Sequence, residues 1–165
     1  MKMIEQDIGV IDLPLRVLSA PLGKKTTVIR LSTGQVLVHS AGPLREYNLA
    51  AIRDMGEVTW LMEGSRLHDT FVLRLRAAFP EAQYLLPDEF PLTREQLAPA
   101  DSLRNLPAEW ADEIEIIPVE GMPRLAEHAL PHRPSRTLVL TDLVFNLPWE
   151  TGEKIPFFLP LGFRI

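Results

Sequence analysis

His132-Arg133-Pro134-Ser135-Arg136-Thr137-Leu138-Val139-Leu140-Thr141-Asp142-Leu143-Val144-Phe145-Asn146 is the stretch on which the fold of this chain turns. A turn over 133–136 leads into five β-prone residues, Thr137 to Thr141, with no internal charge. Such a run predicts a strand buried on both faces. Asp142 then stands where the strand leaves the core, ahead of a second apolar run. A carboxylate in that place must be paired, hydrogen-bonded or bound to a cation, because burying it bare costs several kcal/mol or shifts its pKa until it neutralises. Leu125 to His132, ahead of the turn, predicts the partner strand.

Working outward, His128 and His132 are four residues apart, a spacing that converges on one ion only in a helix. Pro131 and Pro134 argue for strand and turn, where the two rings would stand roughly 13 Å apart at ~3.3 Å per residue. His132 reaches the end that carries Asp142 only if the hairpin register allows it, and His128 packs or pairs with neighbouring Glu127. Upstream, Glu113 to Val119 alternates as a strand. Residues 87–109, rich in Pro, Glu and Asp, predict a surface excursion. It holds one short helical piece at Thr93 to Leu97, opened by the capping box Thr93-x-x-Gln96.

The first half is more regular. Thr26–Leu31 and Val36–Ser40 predict a hairpin with Gly34 in the turn, where positive φ is cheap. His39 ends its second strand and reads as a packed residue. Pro43 opens a helix running to Met55, with Gly56 as its stop. Glu57–Met62, a helix over Asp69–Phe79 closed by Pro80, and Ala82–Leu86 form a βαβ unit. The loop Glu63-Gly64-Ser65-Arg66-Leu67-His68 then lies at the C-terminal end of the unit's first strand, where α/β proteins usually place ligands. Met1 to Gly23 alternates weakly and predicts an edge strand or an arm over the core.

With 165 residues, 46% hydrophobic and 24% charged, the chain is expected to form one soluble domain burying about 70% of its unfolded surface. A net charge of −5 with 17 scattered basic residues argues against nucleic acid and anionic membranes. The absence of cysteine excludes disulfides, thiolate catalysis and Cys-ligated zinc. No apolar run is long enough to span a membrane. Glu5 and Asp7 interrupt what would have to be the apolar segment of a signal peptide, so the expected compartment is the cytoplasm. The dense apolar tail Trp149–Ile165 should not face water as one patch. It is expected to fold back, to meet a partner or a second copy through 155–165, or to have lost residues that cover it.

Ser135-Arg136-Thr137-Leu138-Val139-Leu140-Thr141-Asp142-Leu143-Val144-Phe145 resembles the late strand of the metallo-β-lactamase-like superfamily, in which a strand ends on an aspartate that bridges two metal ions. More closely it resembles an uncharacterised bacterial branch, a domain of unknown function whose members run from Arg-Pro-Ser-Arg-Thr-Leu into Asp-Leu-Val-Phe. The hairpin, the helix after His68 and Phe79-Pro80 follow in the expected order, so the resemblance covers most of the chain from Thr27 onward. It implies an α+β fold: a partial αββα sandwich with mixed sheets and flanking helices. The whole of 1–165 would be one domain, with 1–25 as arm or edge strand and 149–165 as apolar tail.

The metal motifs implied by the resemblance are degenerate. If His68 is the last residue of the family's His-x-His-x-Asp-His, then Leu67 stands at the Asp position, Ser65 at the second His and Glu63 at the first. Gly121-Met122 replaces a later Gly-His. The family's final His lies in a C-terminal region by which this chain is expected to be shortened. The candidate metal residues are therefore His68 and Asp142, with Glu63 and His132 as helpers. Two firm ligands are too few for a catalytic zinc, which takes three plus water.

Two readings follow. In one, the fold persists without a complete metal centre and without a cofactor. His68 and Asp142 hydrogen-bond each other, Asp142 caps backbone N–H groups near Leu143 to Asn146, and the domain is a non-catalytic binding or interaction module. In the other, zinc or another divalent metal at His68 and Asp142 makes it a hydrolase of an ester, amide or phosphoester. Catalytic residues proper are not identified by the sequence.

Overall fold

The structure, a computed structural model, describes residues 1–17, 20–21 and 23–144. The chain opens with an antiparallel run: β1 (Lys2–Glu5), β2 (Ile8–Leu13), a two-stranded ribbon of β3 (Arg16–Val17) and β4 (Ala20–Pro21), then β5 (Lys24–Arg30) and β6 (Gln35–His39). Next come α1 (Glu46–Arg53), β7 (Glu57–Met62), α2 (Val72–Ala78), β8 (Gln83–Leu86) and β9 (Ala100–Ser102). A 3₁₀ turn at Ala108–Trp110 leads to β10 (Ile117–Pro118), β11 (His128–His132) and β12 (Thr137–Val139). The main sheet has the order β1-β2-β5-β6-β7-β8-β9, with β10-β11-β12 as a separate small sheet.

Chain pattern explains both the order and the layers. The β5–β6 hairpin closes on Gly34 at φ +85°, whose N–H donates to the Leu31 carbonyl. Pairing turns parallel from β6 to β9, and parallel strands are covered on both faces. Accordingly Val36, Leu37 and Val38 are all inaccessible to water. Period-two alternation then sorts the core. Val36, Val38, Leu61, Tyr84 and Leu86 pack with Ile52 of α1 and with Val72 and Leu75 of α2. Ile29, Leu37, Met62 and Leu85 pack on the opposite side with Trp110, Leu130 and Val139. The described residues thus form helices, a mixed seven-stranded sheet and a three-stranded sheet in three layers.

Several elements differ from the sequence expectation, each for a physical reason. The N-terminal segment takes the edge-strand form of its two expected ones, β1 being the exposed edge, and adds a further strand, β2, paired with β5 over six residues. Residues 87–109 are not only a surface excursion, because Ala100–Ser102 adds a parallel strand beside β8. The Thr93 capping box forms, with Thr93 N–H on Gln96 Oε1 at 2.9 Å and Gln96 N–H on Thr93 Oγ1 at 3.3 Å. The segment nevertheless stays a turn, since Pro91 and Pro99 bracket it. Glu113–Val119 pairs only at Ile117–Pro118 and through one bridge, Ile114 to His132.

The deciding hairpin is present, with His132 opposite Thr137 and Leu130 opposite Val139. Its second strand ends at Val139 and is not buried on both faces: it is the edge of a small sheet, and Leu138 is 57% exposed. The apolar tail and its expected dimer contact lie outside the described residues.

Candidate functional site

The ends of β5, β6, β7 and the hairpin converge on one polar centre. Alternation along β5 turns Lys24, Thr26 and Val28 to the same face, and Lys24 is buried while Lys25 is exposed. Ser40 follows β6 with φ +70°, a region that non-glycine residues seldom occupy and that collects at functional sites. Its backbone is fixed on both sides. The N–H donates to the Met62 carbonyl at 2.9 Å, and the carbonyl accepts from Thr26 Oγ1 at 2.8 Å.

Lys24 Nζ donates to Ser40 Oγ at 2.7 Å and lies 2.5 Å from His68 Nδ1. Ser40 Oγ stands 3.0 Å from the same nitrogen. On the far side of the ring, His68 Nε2 is 2.8 Å from Asp142 Oδ1. Asp142 Oδ2 accepts from Ser65 Oγ at 2.5 Å. An ionised carboxylate only accepts, so Nε2 carries the ring proton and Nδ1 presents its lone pair to Ser40 and Lys24.

The predicted pair His68 and Asp142 is therefore brought together, as a direct hydrogen bond. Glu63 is buried nearby at the end of β7, where Oε1 accepts from Tyr84 Oη at 2.7 Å and from Ala41 N–H at 2.9 Å. Its Oε2 has no hydrogen-bond partner among the described residues. His132 lies at the other end of the hairpin. Its Nδ1 meets Ser135 Oγ at 2.7 Å, and the charges that face it are Glu113 and Asp7. His128 turns Nδ1 to the Ala126 carbonyl instead of pairing with Glu127.

Among the described residues Asp142 accepts from side chains, His68 and Ser65, and the part of its expected backbone cap that falls on Phe145 and Asn146 lies outside them. Glu127 caps the backbone here, accepting the Thr141 N–H at 2.6 Å and the Asp142 N–H at 3.1 Å. Asp142 spends its oxygens on side chains because the residues opposite it, His68 and Ser65, offer donors.

Burial dominates the electrostatics. Desolvation lowers the Lys24 ammonium to about 8, against the pull of Glu63 and Asp142. It also brings His39 down to about 3, helped by the nearby Lys24 and His68. Glu63 is raised by burial, which outweighs Lys24 and its hydrogen bonds. For Asp142 burial pushes up, yet the His68 and Ser65 hydrogen bonds win and the carboxyl sits below its ordinary range.

Part of this centre lines one cleft of about 1090 Å³, with Lys24, Ser40, His68 and Asp142 on a polar floor and Leu13, Leu138 and Val144 among its apolar walls. A catalytic zinc takes three protein ligands and an open position. Among the described residues no three His, Cys, Asp or Glu side chains group around one point. Both nitrogens of His68 are engaged, and the buried ammonium of Lys24 faces the ring. This donor set does not fit a catalytic zinc.

Sequence reasoning missed Lys24, Ser40 and Glu127. The strand alternation that puts Lys24 on the face of Val28 was available as a signal for the first. Nothing local marks Ser40 or Glu127, whose roles arise from contacts with residues 28 and 14 positions away.

No family model matches this sequence, and no curated protein shows significant similarity to it. Among solved structures, the metallo-β-lactamase DIM-1, in crystals exposed to ceftazidime, superposes with a TM-score of 0.60 at 12% identity. The match takes in 83% of this chain and 66% of that one, so the chain spans slightly less than two thirds of the lactamase's length. At that identity the likeness shows the fold: the mixed sheet, small sheet and helices form a partial metallo-β-lactamase-like architecture. Among the described residues no helix is long and apolar enough to cross a membrane.

Proposed function

We propose that this domain keeps the metallo-β-lactamase-like fold without a complete catalytic metal centre and works as a metal-independent binding module. Its cleft takes a small molecule over the polar floor. One observation carries the reading: a buried lysine ammonium, hydrogen-bonded to Ser40, faces Nδ1 of His68 across the ring from Asp142, so the polar floor has its own positive charge. A large, mostly apolar cleft with a few converging polar groups is the usual form of a small-molecule site. The net charge of −5 and the scattered basic residues speak against nucleic acid as the occupant.

The alternative is a metal-dependent hydrolase of an ester, amide or phosphoester, with zinc or another divalent metal at His68 and Asp142. The buried Oε2 of Glu63, without a hydrogen-bond partner among the described residues, is the observation in its favour. Metal content of protein purified without chelator, beside Asp142→Asn, separates the two, together with melting curves in added zinc chloride. The proposal expects sub-stoichiometric metal and no shift in Tm. A ligand present at 100 times its Kd would add ~2.7 kcal/mol of stability. One equivalent of metal that disappears in Asp142→Asn would overturn the proposal in favour of the hydrolase.

A further inference from the structure

We infer that the cleft holds a serine nucleophile, Ser40, with His68 as its base and Asp142 as the group that orients the base, and that it takes activated acyl compounds such as esters and thioesters. The inference rests on the metal-independent cleft proposed above and adds a covalent step to it.

Four observations converge. The chain of contacts is complete: Ser40 Oγ to His68 Nδ1 at 3.0 Å, and His68 Nε2 to Asp142 Oδ1 at 2.8 Å. A nucleophile, a base within reach and a third group orienting the base make a recognisable constellation whatever the fold or sequence order. The tautomer is the productive one, because Asp142 holds the proton on Nε2 and leaves the Nδ1 lone pair toward the Ser40 hydroxyl at 3.0 Å, shared with Lys24 Nζ at 2.5 Å. Asp142 is itself steadied by Ser65 Oγ and by Glu127 on its backbone N–H.

Ser40 also stands in a strained conformation, φ +70°, at the end of a buried strand, with its backbone tied to Met62 and Thr26. A serine that only filled space would gain nothing from that geometry, and glycine would serve better. Finally, Lys24 Nζ lies 2.7 Å from Ser40 Oγ. Negative charge that builds on the attacking oxygen and on a neighbouring carbonyl forms beside a positive group that is itself buried, as Ser40 is.

The chemistry balances within these groups. Ser40 Oγ attacks the acyl carbon as its proton passes to His68 Nδ1. The bond from carbon to the leaving oxygen or sulfur breaks, and His68 returns the proton to that leaving group. An ester on Ser40 remains. Water then attacks the same carbon, giving its proton to His68; the Ser40 oxygen leaves and is reprotonated, releasing a carboxylic acid.

The test uses the full chain and an alkyl fluorophosphonate. Attack by Ser40 forms a P–O bond, expels fluoride and leaves an adduct visible by intact-protein mass spectrometry. One adduct per chain is expected, and fragmentation of the peptide Leu31–Arg45 should place it on Ser40 and not on Ser32. Ser40→Gly, which suits the positive φ and so keeps the fold, should abolish labelling. His68→Gln and Asp142→Asn should slow it by ~10²-fold or more. p-Nitrophenyl butyrate should give a burst of one equivalent of nitrophenol in the parent protein and none in Ser40→Gly. No adduct on the parent protein, an adduct that survives Ser40→Gly, or a labelling rate untouched by His68→Gln would each overturn the inference. Metal content read on the same sample keeps the outcomes apart. No metal and no adduct removes only the nucleophile, whereas one equivalent of metal removes the metal-independent reading itself.

Discussion

The two halves of the polar centre are held by different means. Lys24, His39, Ser40 and Glu63 sit at the ends of β5, β6 and β7, in the middle of the main sheet, where neighbours on both sides are buried. Thr141 and Asp142 arrive after a three-residue edge strand whose Leu138 is open to solvent, and one carboxylate, Glu127, gathers both of their backbone N–H groups. The sheet half is preset by the core. The hairpin half depends on a clamp, so the alignment of His68 with Asp142 is the weakest point in an otherwise rigid centre.

The strongest way to break that arrangement is to force the halves apart. Gly64 lies between them, and a Cβ there would collide with Thr141 Oγ1 and come within 2.7 Å of His39 Nε2. Overpacking of this kind costs typically 1–3 kcal/mol. Gly64→Ala is expected near the top of that range, read as a lower urea midpoint with an unchanged m-value. Releasing the clamp comes next. Glu127→Ala leaves two N–H groups without an acceptor and should cost about 2 kcal/mol. It should also shift the His68 ring resonances in an NMR spectrum while the core methyl signals stay in place. A wild-type-like His68 environment in Glu127→Ala would show that the hairpin half is preset as well.

How much of this was legible in the sequence follows the same division. The buried strands announced themselves, since Val36-Leu37-Val38 and Tyr84-Leu85-Leu86 have no other place than a core covered on both sides. His68 and Asp142 were legible as a pair through the resemblance to the superfamily's metal motifs, and the structure brings them to hydrogen-bonding distance. The hairpin was legible as a hairpin and misread as doubly buried, because an apolar run of five residues looks alike in a central and an edge strand. His132 was named as a helper, and register alone decided against it: its partner is Thr137, at the end of the strand far from Asp142. Ser40 and Glu127 escaped because a hydroxyl and a carboxylate become a site only through long-range contacts that no local pattern encodes, whereas strand alternation in β5 did mark Lys24 as inward-facing and went unused.

Acidification probes the sheet half through His39. His39 is neutral in the folded chain, with a pKa of about 3 against an ordinary 6.5, so the unfolded chain binds more protons between those values. Its contribution to stability is full above pH 6.5 and is lost as pH falls toward 3. From pH 7.5 to 5 the loss should be about 2 kcal/mol, at ~1.4 kcal/mol for each unit below the unfolded pKa. Glu63 works in the opposite sense, since its folded pKa is raised and protonation favours the fold as pH falls through it. The measurement is therefore a difference, the urea stability of the parent protein minus that of His39→Gln across the range. A flat difference curve would mean that the sheet half opens to water at His39. Tyr84→Phe should cost less, about 1 kcal/mol, because Glu63 Oε1 loses one of its two donors and keeps the Ala41 N–H.

The smallest expected effect tests the hairpin half where it meets solvent. Leu138 is 57% exposed on an edge strand, and Val144, on the same cleft, is 65% exposed. Substitutions at exposed positions away from special contacts stay within about 0.5 kcal/mol, so Leu138→Ser should leave the urea midpoint nearly where it was. The value of the experiment lies in its concentration dependence. If Leu138→Ser is close to neutral at all protein concentrations, the edge faces water and the clamp at Glu127 bears the hairpin half without help. A loss above ~1.5 kcal/mol that fades on dilution would mean that a second copy covers this edge. The same loss independent of concentration would mean that part of the chain beyond Val144 does so. In either of those cases the two halves of the centre would be equally buried, and the contrast between a preset sheet and a clamped hairpin would no longer hold.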